Sequence, residues 1–147
     1  MAMITNGADK LVALETRIRH FYESMNRHDF TKCYAMIDPR VVSKSEALTI
    51  SQYTHSLERY LDRFASINLV EIGITGLHLN EPNKLYEGRD FALGKTVWED
   101  DDGNRHEFSE RWVFQDGAWY TRSTGFVPIH SSGHTAEKTD NSDLRTQ

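Results

Sequence analysis

Among the side chains of this 147-residue chain that can move a proton, Glu110 stands out by its company. It lies in EFSERWVFQDGAWY, Glu107 to Tyr120, where a strand period of two puts it on one side with Phe108, Trp112 and Phe114. A carboxylate in a row of large apolar side chains is either paired for structure or placed to meet a ligand. Counting back across Asp102-Gly103, taken as a two-residue turn, sets Lys95 opposite Glu110, and counting forward across Asp116-Gly117 sets Ser123 opposite it. Two chemistries follow, and the sequence leaves both open. One is a cross-strand Glu110–Lys95 ion pair near the mouth of the sheet. The other is a carboxylate in a largely apolar cavity, its pKa perturbed by burial and by the lysine, available to bind a ligand or shuttle a proton. In a catalytic version Glu110 is the acid or base, Lys95 tunes it, and His78 or a helix tyrosine orients the substrate.

The remaining candidates carry less. His78 can turn inward beside Ile74, which makes it the histidine to watch. His20, His28 and His55 have no matching ligand at one-turn spacing, and His130 and His134 sit in a polar tail, so no metal and no cofactor are expected. His106 is expected to oppose Glu99 at a hairpin tip, as a surface pair. Cys33 is the only cysteine, which excludes an internal disulfide, suits a reducing compartment and reads as a small apolar filler. There is no Gly-rich phosphate loop, no nucleophile elbow and no pair of Cys-x-x-Cys motifs, which disfavours nucleotide, acyl-enzyme and zinc chemistry.

The elements that must position these residues follow from periodicity. Leu11, Leu14, Ile18, Phe21, Tyr22 and Met25 recur at helical spacing and predict a long amphipathic helix from Lys10. Asp29 can cap a short second helix that buries Phe30, Cys33 and Ile37 before Asp38-Pro39 stops it. Thr49 and Gln52 form a capping box for a third helix, with Tyr53, Leu57, Tyr60, Leu61 and Phe64 as its buried stripe. From Ile67 the period changes to two. Strands are expected at Ile67 to Leu79, with Val70, Ile72, Ile74 and His78 on one face, then at Leu85 to Glu99, Arg105 to Gln115 and Ala118 to Thr124. The two Asp-Gly hairpins put Phe91, Leu93, Lys95 and Val97 on the inner face with Phe108, Glu110, Trp112 and Phe114. Ala92, Gly94, Thr96, Ser109, Arg111, Val113, Tyr120 and Arg122 fall on the outer face, which reads as solvent-facing or as a dimer surface.

Composition bounds the rest. Hydrophobic residues make up 38%, aromatic 11% and charged 27%, as in a globular domain with a real core. The net charge of −5, with no basic stripe, argues against a nucleic-acid partner. No apolar run approaches a membrane span and MAMITNGADK does not look like a secretory leader, so a cytoplasmic protein with no membrane partner is expected. Residues 1–129 are expected to form one domain and 130–147 a polar, flexible tail, with Gly125 to Ile129 extending the last strand or packing across a dimer.

Helix, short helix, helix, then long antiparallel strands resembles the nuclear transport factor 2-like superfamily, to which SnoaL-like proteins belong. FYESMNRHDFTKCYAMIDP, Phe21 to Pro39, is similar to that family's passage from first to second helix, and GNRHEFSERWVFQDGAWYTRS, Gly103 to Ser123, to its last hairpin. The resemblance implies an α+β cone, three N-terminal helices on a strongly curved sheet, whose open end is a mainly apolar pocket. Phe108, Trp112, Phe114 and Trp119 would line it from the sheet and Tyr22, Tyr34, Tyr53 and Tyr60 from the helices. It also implies a small apolar ligand and a homodimer through the outer sheet face. Similar members that are enzymes include ketosteroid isomerases, polyketide cyclases, scytalone dehydratases and limonene epoxide hydrolases. Their catalytic carboxylates often lie just beyond the second helix, where this sequence offers only Asp38.

Overall fold

The structure is a computed structural model that describes residues 7–44, 48–62, 66–123 and 128–131, the last of these by backbone alone. Among them are helices α1 (Gly7–Asn26), α2 (Phe30–Ala35), α3 (Pro39–Lys44) and α4 (Ile50–Leu61). Strands β1 (Ile67–His78), β2 (Phe91–Asp100), β3 (Arg105–Gln115), β4 (Ala118–Thr121) and β5 (Pro128–Ser131) follow. The fold is α+β: helices first, then an antiparallel sheet ordered β1-β2-β3-β4, with β5 pairing β3 beyond the end of β4. No helix among the described residues is long and apolar enough to cross a membrane. Phe64 and the tail from residue 132 lie outside the described residues, whereas 130 and 131, expected in the tail, belong to β5.

α1 buries Leu14, Ile18, Phe21, Tyr22 and Met25 of the expected stripe, and Leu11 at its start is only half-buried. It is pinned to the sheet at several heights. Trp119 Nε1 donates to the Lys10 carbonyl at 3.0 Å, Arg17 Nε donates to the Trp119 carbonyl at 2.9 Å, and the Ile67 amide donates to Asn26 Oδ1 at 2.9 Å. The capping box forms on α4, with Gln52 N donating to Thr49 Oγ1 at 3.1 Å and Thr49 N to Gln52 Oε1 at 3.2 Å. Asp29 makes no side-chain cap to α2. Pro39, expected only to stop a helix, opens α3, because a first-turn residue needs no amide hydrogen.

The hairpin β3–β4 has the expected register: Asp116 and Gly117 have φ of 52° and 85°, and Phe114 faces Trp119. The hairpin β2–β3 does not. Its loop has three residues, with the Gly103 amide donating to the Asp100 carbonyl at 3.1 Å and Gly103 at φ 85°, a type I turn closed by a left-handed glycine. Asp100 Oδ1 accepts from the amides of Asp102 and Asn104 at 2.9 and 3.0 Å, which favours this longer loop. One extra loop residue turns every β2 side chain to the other face. Ala92, Gly94, Thr96 and Trp98 therefore share the inner face with Phe108, Glu110 and Trp112, and Phe91, Leu93, Lys95 and Val97 turn outward.

β1 also departs from simple alternation. Register shifts between Leu69 and Glu71 and between Ile74 and Gly76 place Leu69, Ile72, Ile74 and Leu77 against the core. Val70 is 45% exposed, and His78 pairs with outward-facing Phe91. β1 crosses very close to β2 at Gly94, where a Cβ would stand 2.3 Å from the Gly73 carbonyl oxygen; only glycine fits there. β2 itself begins at Phe91, six residues later than expected, because 79–90 form a connection whose Tyr86 is buried against Phe91.

Candidate functional site

Glu110 sits at mid-β3 with its carboxyl in the layer between the sheet and α1, 5% exposed. Every polar contact it makes comes from a neutral group. Tyr22 of α1 donates its hydroxyl to Oε2 at 2.6 Å, Thr96 Oγ1 of β2 is hydrogen-bonded to the same oxygen at 2.9 Å, and Trp112 Nε1 donates to Oε1 at 2.6 Å. Tyr22 and Thr96 are themselves 3.0 Å apart. Phe21 closes the site edge-on to both Tyr22 and Trp112, at ring-centroid distances of 5.4 and 5.8 Å. Burial raises the pKa of Glu110, and the opposing effect of the hydrogen bonds with Tyr22, Trp112 and Thr96 does not offset it. Tyr22 is held well above its ordinary value, first by burial and then by the neighbouring Glu110 carboxyl.

No protein-family model, no curated protein and no solved structure matches the chain.

The structure separates the expected partners of Glu110 from it. Lys95 points to the outer face, where its Nζ is 3.6 Å from Glu107 Oε2, so the Glu110–Lys95 pair does not form; the three-residue loop is the cause. Ser123 is not a partner either, since the last β3–β4 backbone bond runs from the Arg122 amide to the Arg111 carbonyl at 2.8 Å and the Ser123 amide turns to Thr121 Oγ1. His78 lies outside the core, stacked on Phe91 at 4.5 Å with Nδ1 3.1 Å from Glu81. Its inward orientation is lost to the two bulges of β1.

The aromatic candidates divide. Tyr22 and Trp112 touch the carboxyl, and Phe108 is buried on the same face. Trp119 and Phe114 pack edge-on at 5.2 Å near Lys10, whose Nζ stands 4.6 Å over the Phe114 ring. Tyr53 is buried against Tyr34, which donates to the Leu48 carbonyl at 2.8 Å, while Tyr60 is half-buried at the core edge. Thr96 was assigned to the outer face by the two-residue turn. The signal that would have placed it is Asp100, whose side chain can cap a three-residue loop ending in Gly103.

Asp38 is the second buried carboxylate, fully inaccessible between α2 and α3. Arg89 grips it with two nitrogens at 2.7 and 3.0 Å, Arg122 adds Nη1 at 2.7 Å, and the Arg40 amide donates at 3.1 Å. Arg89 also reaches Gln115 Oε1 at 2.8 Å. Burial would raise this pKa, but the hydrogen bonds and charge of the arginines outweigh it and hold the carboxyl below the usual range. A carboxylate so committed is a clamp between the helices, the β1–β2 connection and the end of β4, and it is not free to act as a base.

Asp100 and His106 form a third buried pair, Oδ2 to Nε2 at 2.9 Å, with Trp98 stacked on the imidazole at 4.3 Å. His106 thus sits opposite Trp98, and Arg105 takes the expected place opposite Glu99. Cys33 is buried and its thiol is pushed up to about 12, mainly by burial, as a filler thiol is. The described residues hold no group of three or more His, Cys, Asp or Glu able to bind a metal ion.

Proposed function

We propose that the protein is a nuclear transport factor 2-like, SnoaL-like small-molecule-binding protein. In this reading the helices and the inner face of the sheet form a cone that takes a mainly apolar ligand. Glu110 and Tyr22 supply the polar contact for one oxygen or nitrogen of that ligand. The observation that carries the reading is a carboxyl set in the aromatic inner face among neutral groups, with no cation partner among the described residues, because a group so costly to bury is the default functional candidate of a core. Phe108 and Trp112 give apolar area beside it. A homodimer through the outer sheet face, where Ser109 and Arg111 are exposed, and a reducing, cytoplasmic setting for the buried Cys33 thiol belong to the same reading.

The test pairs mass spectrometry of solvent extracts of the purified protein with thermal unfolding against apolar ring compounds bearing one hydroxyl or carbonyl. A co-purified compound, or a Tm rise that Tyr22→Phe diminishes, is expected. Empty extracts and an unmoved Tm across the panel would contradict binding.

The short Tyr22–Glu110 hydrogen bond favours one second reading, a cofactor-independent isomerase, dehydratase, cyclase or hydrolase with Glu110 as acid or base. Tyr22 and Thr96 then take the tuning and orienting roles first given to Lys95 and His78. Glu110→Gln should abolish turnover with folding intact; a change in thermal stability alone marks the residue as structural.

A further inference from the structure

Three oxygens from three elements meet pairwise inside the core. Tyr22 Oη of α1 lies 2.6 Å from Glu110 Oε2 of β3, Thr96 Oγ1 of β2 lies 2.9 Å from the same oxygen, and the two hydroxyls are 3.0 Å apart. Each side of this triangle is a hydrogen-bond length, and each side needs one hydrogen. The two hydroxyls supply two. An ionised Glu110 supplies none, which would leave one pair of oxygens in contact with no hydrogen between them. The other carboxyl oxygen settles where a third hydrogen can sit. Trp112 Nε1 points at Oε1 from 2.6 Å, and an indole nitrogen only donates, so Oε1 must be bare.

We propose that Glu110 carries a proton on Oε2 and that this proton completes a closed ring: Glu110 to Thr96, Thr96 to Tyr22, Tyr22 back to Glu110. The site is therefore a binding site for one proton that ties α1 to β2 and β3, and it holds whether or not a ligand enters the cone. The groups facing it agree. From α1 and α4 come Tyr22 and Tyr53, both neutral because burial raises them; β2 offers Thr96, and β3 offers Trp112. Lys95, the cation nearest in sequence pairing, is on the far face with Glu107. Losing the proton puts a charge in the aromatic layer and opens one side of the ring, so α1 is loosened from the sheet as pH rises.

Infrared difference spectroscopy in deuterated buffer tests this on the intact chain. At neutral pH the wild type should show the carbonyl stretch of an un-ionised carboxylic acid, and Glu110→Gln should lack it. Thr96→Val removes the acceptor of the proton without touching the carboxyl, so it should shift or abolish that band, and it keeps the test open if the glutamine variant does not fold. A wild type with only ionised carboxylates at neutral pH, or a band that Thr96→Val leaves unmoved, would overturn the ring.

Discussion

Glu110 and Asp38 are both buried carboxyl groups, 5% and 0% exposed, and their surroundings treat the charge in opposite ways. Asp38 is surrounded by guanidinium groups, which supply full positive charge and hydrogen bonds together, and it stays ionised. Glu110 makes nearly as many hydrogen bonds, all with neutral groups, and its pKa rises. The difference is that at Glu110 the neutral groups do not offset burial, whereas at Asp38 the hydrogen bonds and charge of the arginines together outweigh it. It also separates two uses of a buried acid. The charged one joins segments distant in sequence, and the neutral one joins α1 to β2 and β3 within the aromatic layer.

Removing each group should expose this difference. Asp38→Ala strips buried Arg89 of its two-pronged partner, leaving it only Glu87 at 3.5 Å, and frees half-buried Arg122, and it should cost about 3–5 kcal/mol in urea unfolding. Glu110→Ala strands the hydrogen-bonding groups of Tyr22, Thr96 and Trp112 and leaves a cavity, but it uncovers no charge. It should cost less, roughly 2–4 kcal/mol by the same measurement.

The two sites should then part in their pH dependence. The folded pKa of Asp38 lies below its unfolded value of about 3.9, so its contribution is present above that pH and is lost as pH falls through the folded value. The folded pKa of Glu110 lies above its unfolded value of about 4.3, so its contribution is complete below that pH and is lost as pH rises through the folded value. Unfolding free energies of wild type, Asp38→Asn and Glu110→Gln across the acid and neutral range should show each variant flattening its own limb of the curve. The smallest effect belongs to Glu110→Gln at mildly acidic pH. The amide keeps an acceptor for Trp112 and a donor for Thr96, so stability there should change by less than about 1 kcal/mol.

Much of this arrangement was legible in the sequence, and the losses have particular causes. The α1 stripe, the Thr49–Gln52 box and the Asp116-Gly117 hairpin are local signals, decided within a few residues, and all three form. Glu110 is where the alternation of β3 puts it. Its partners are not, because partners across a sheet depend on loop length, and Asp-Gly is compatible with both a two-residue and a three-residue loop. That single residue exchanged Lys95 for Thr96 beside Glu110, and with it an ion pair for a neutral ring. The bulges in β1 had no signal beyond its glycines, so His78 and Val70 were placed on the wrong faces. The Asp38 clamp joins residues 51 and 84 positions apart, a contact set by the closing of the whole sheet and invisible to any periodicity.

The most direct test is a carboxyl-detected NMR titration of protein labelled at its aspartate and glutamate side chains, with Glu110→Gln and Asp38→Asn used for assignment. The predicted result is one glutamate that stays protonated above the ordinary carboxylate range and one aspartate that stays ionised below it. A Glu110 resonance that titrates with the exposed glutamates would contradict the neutral acid at the centre of this account.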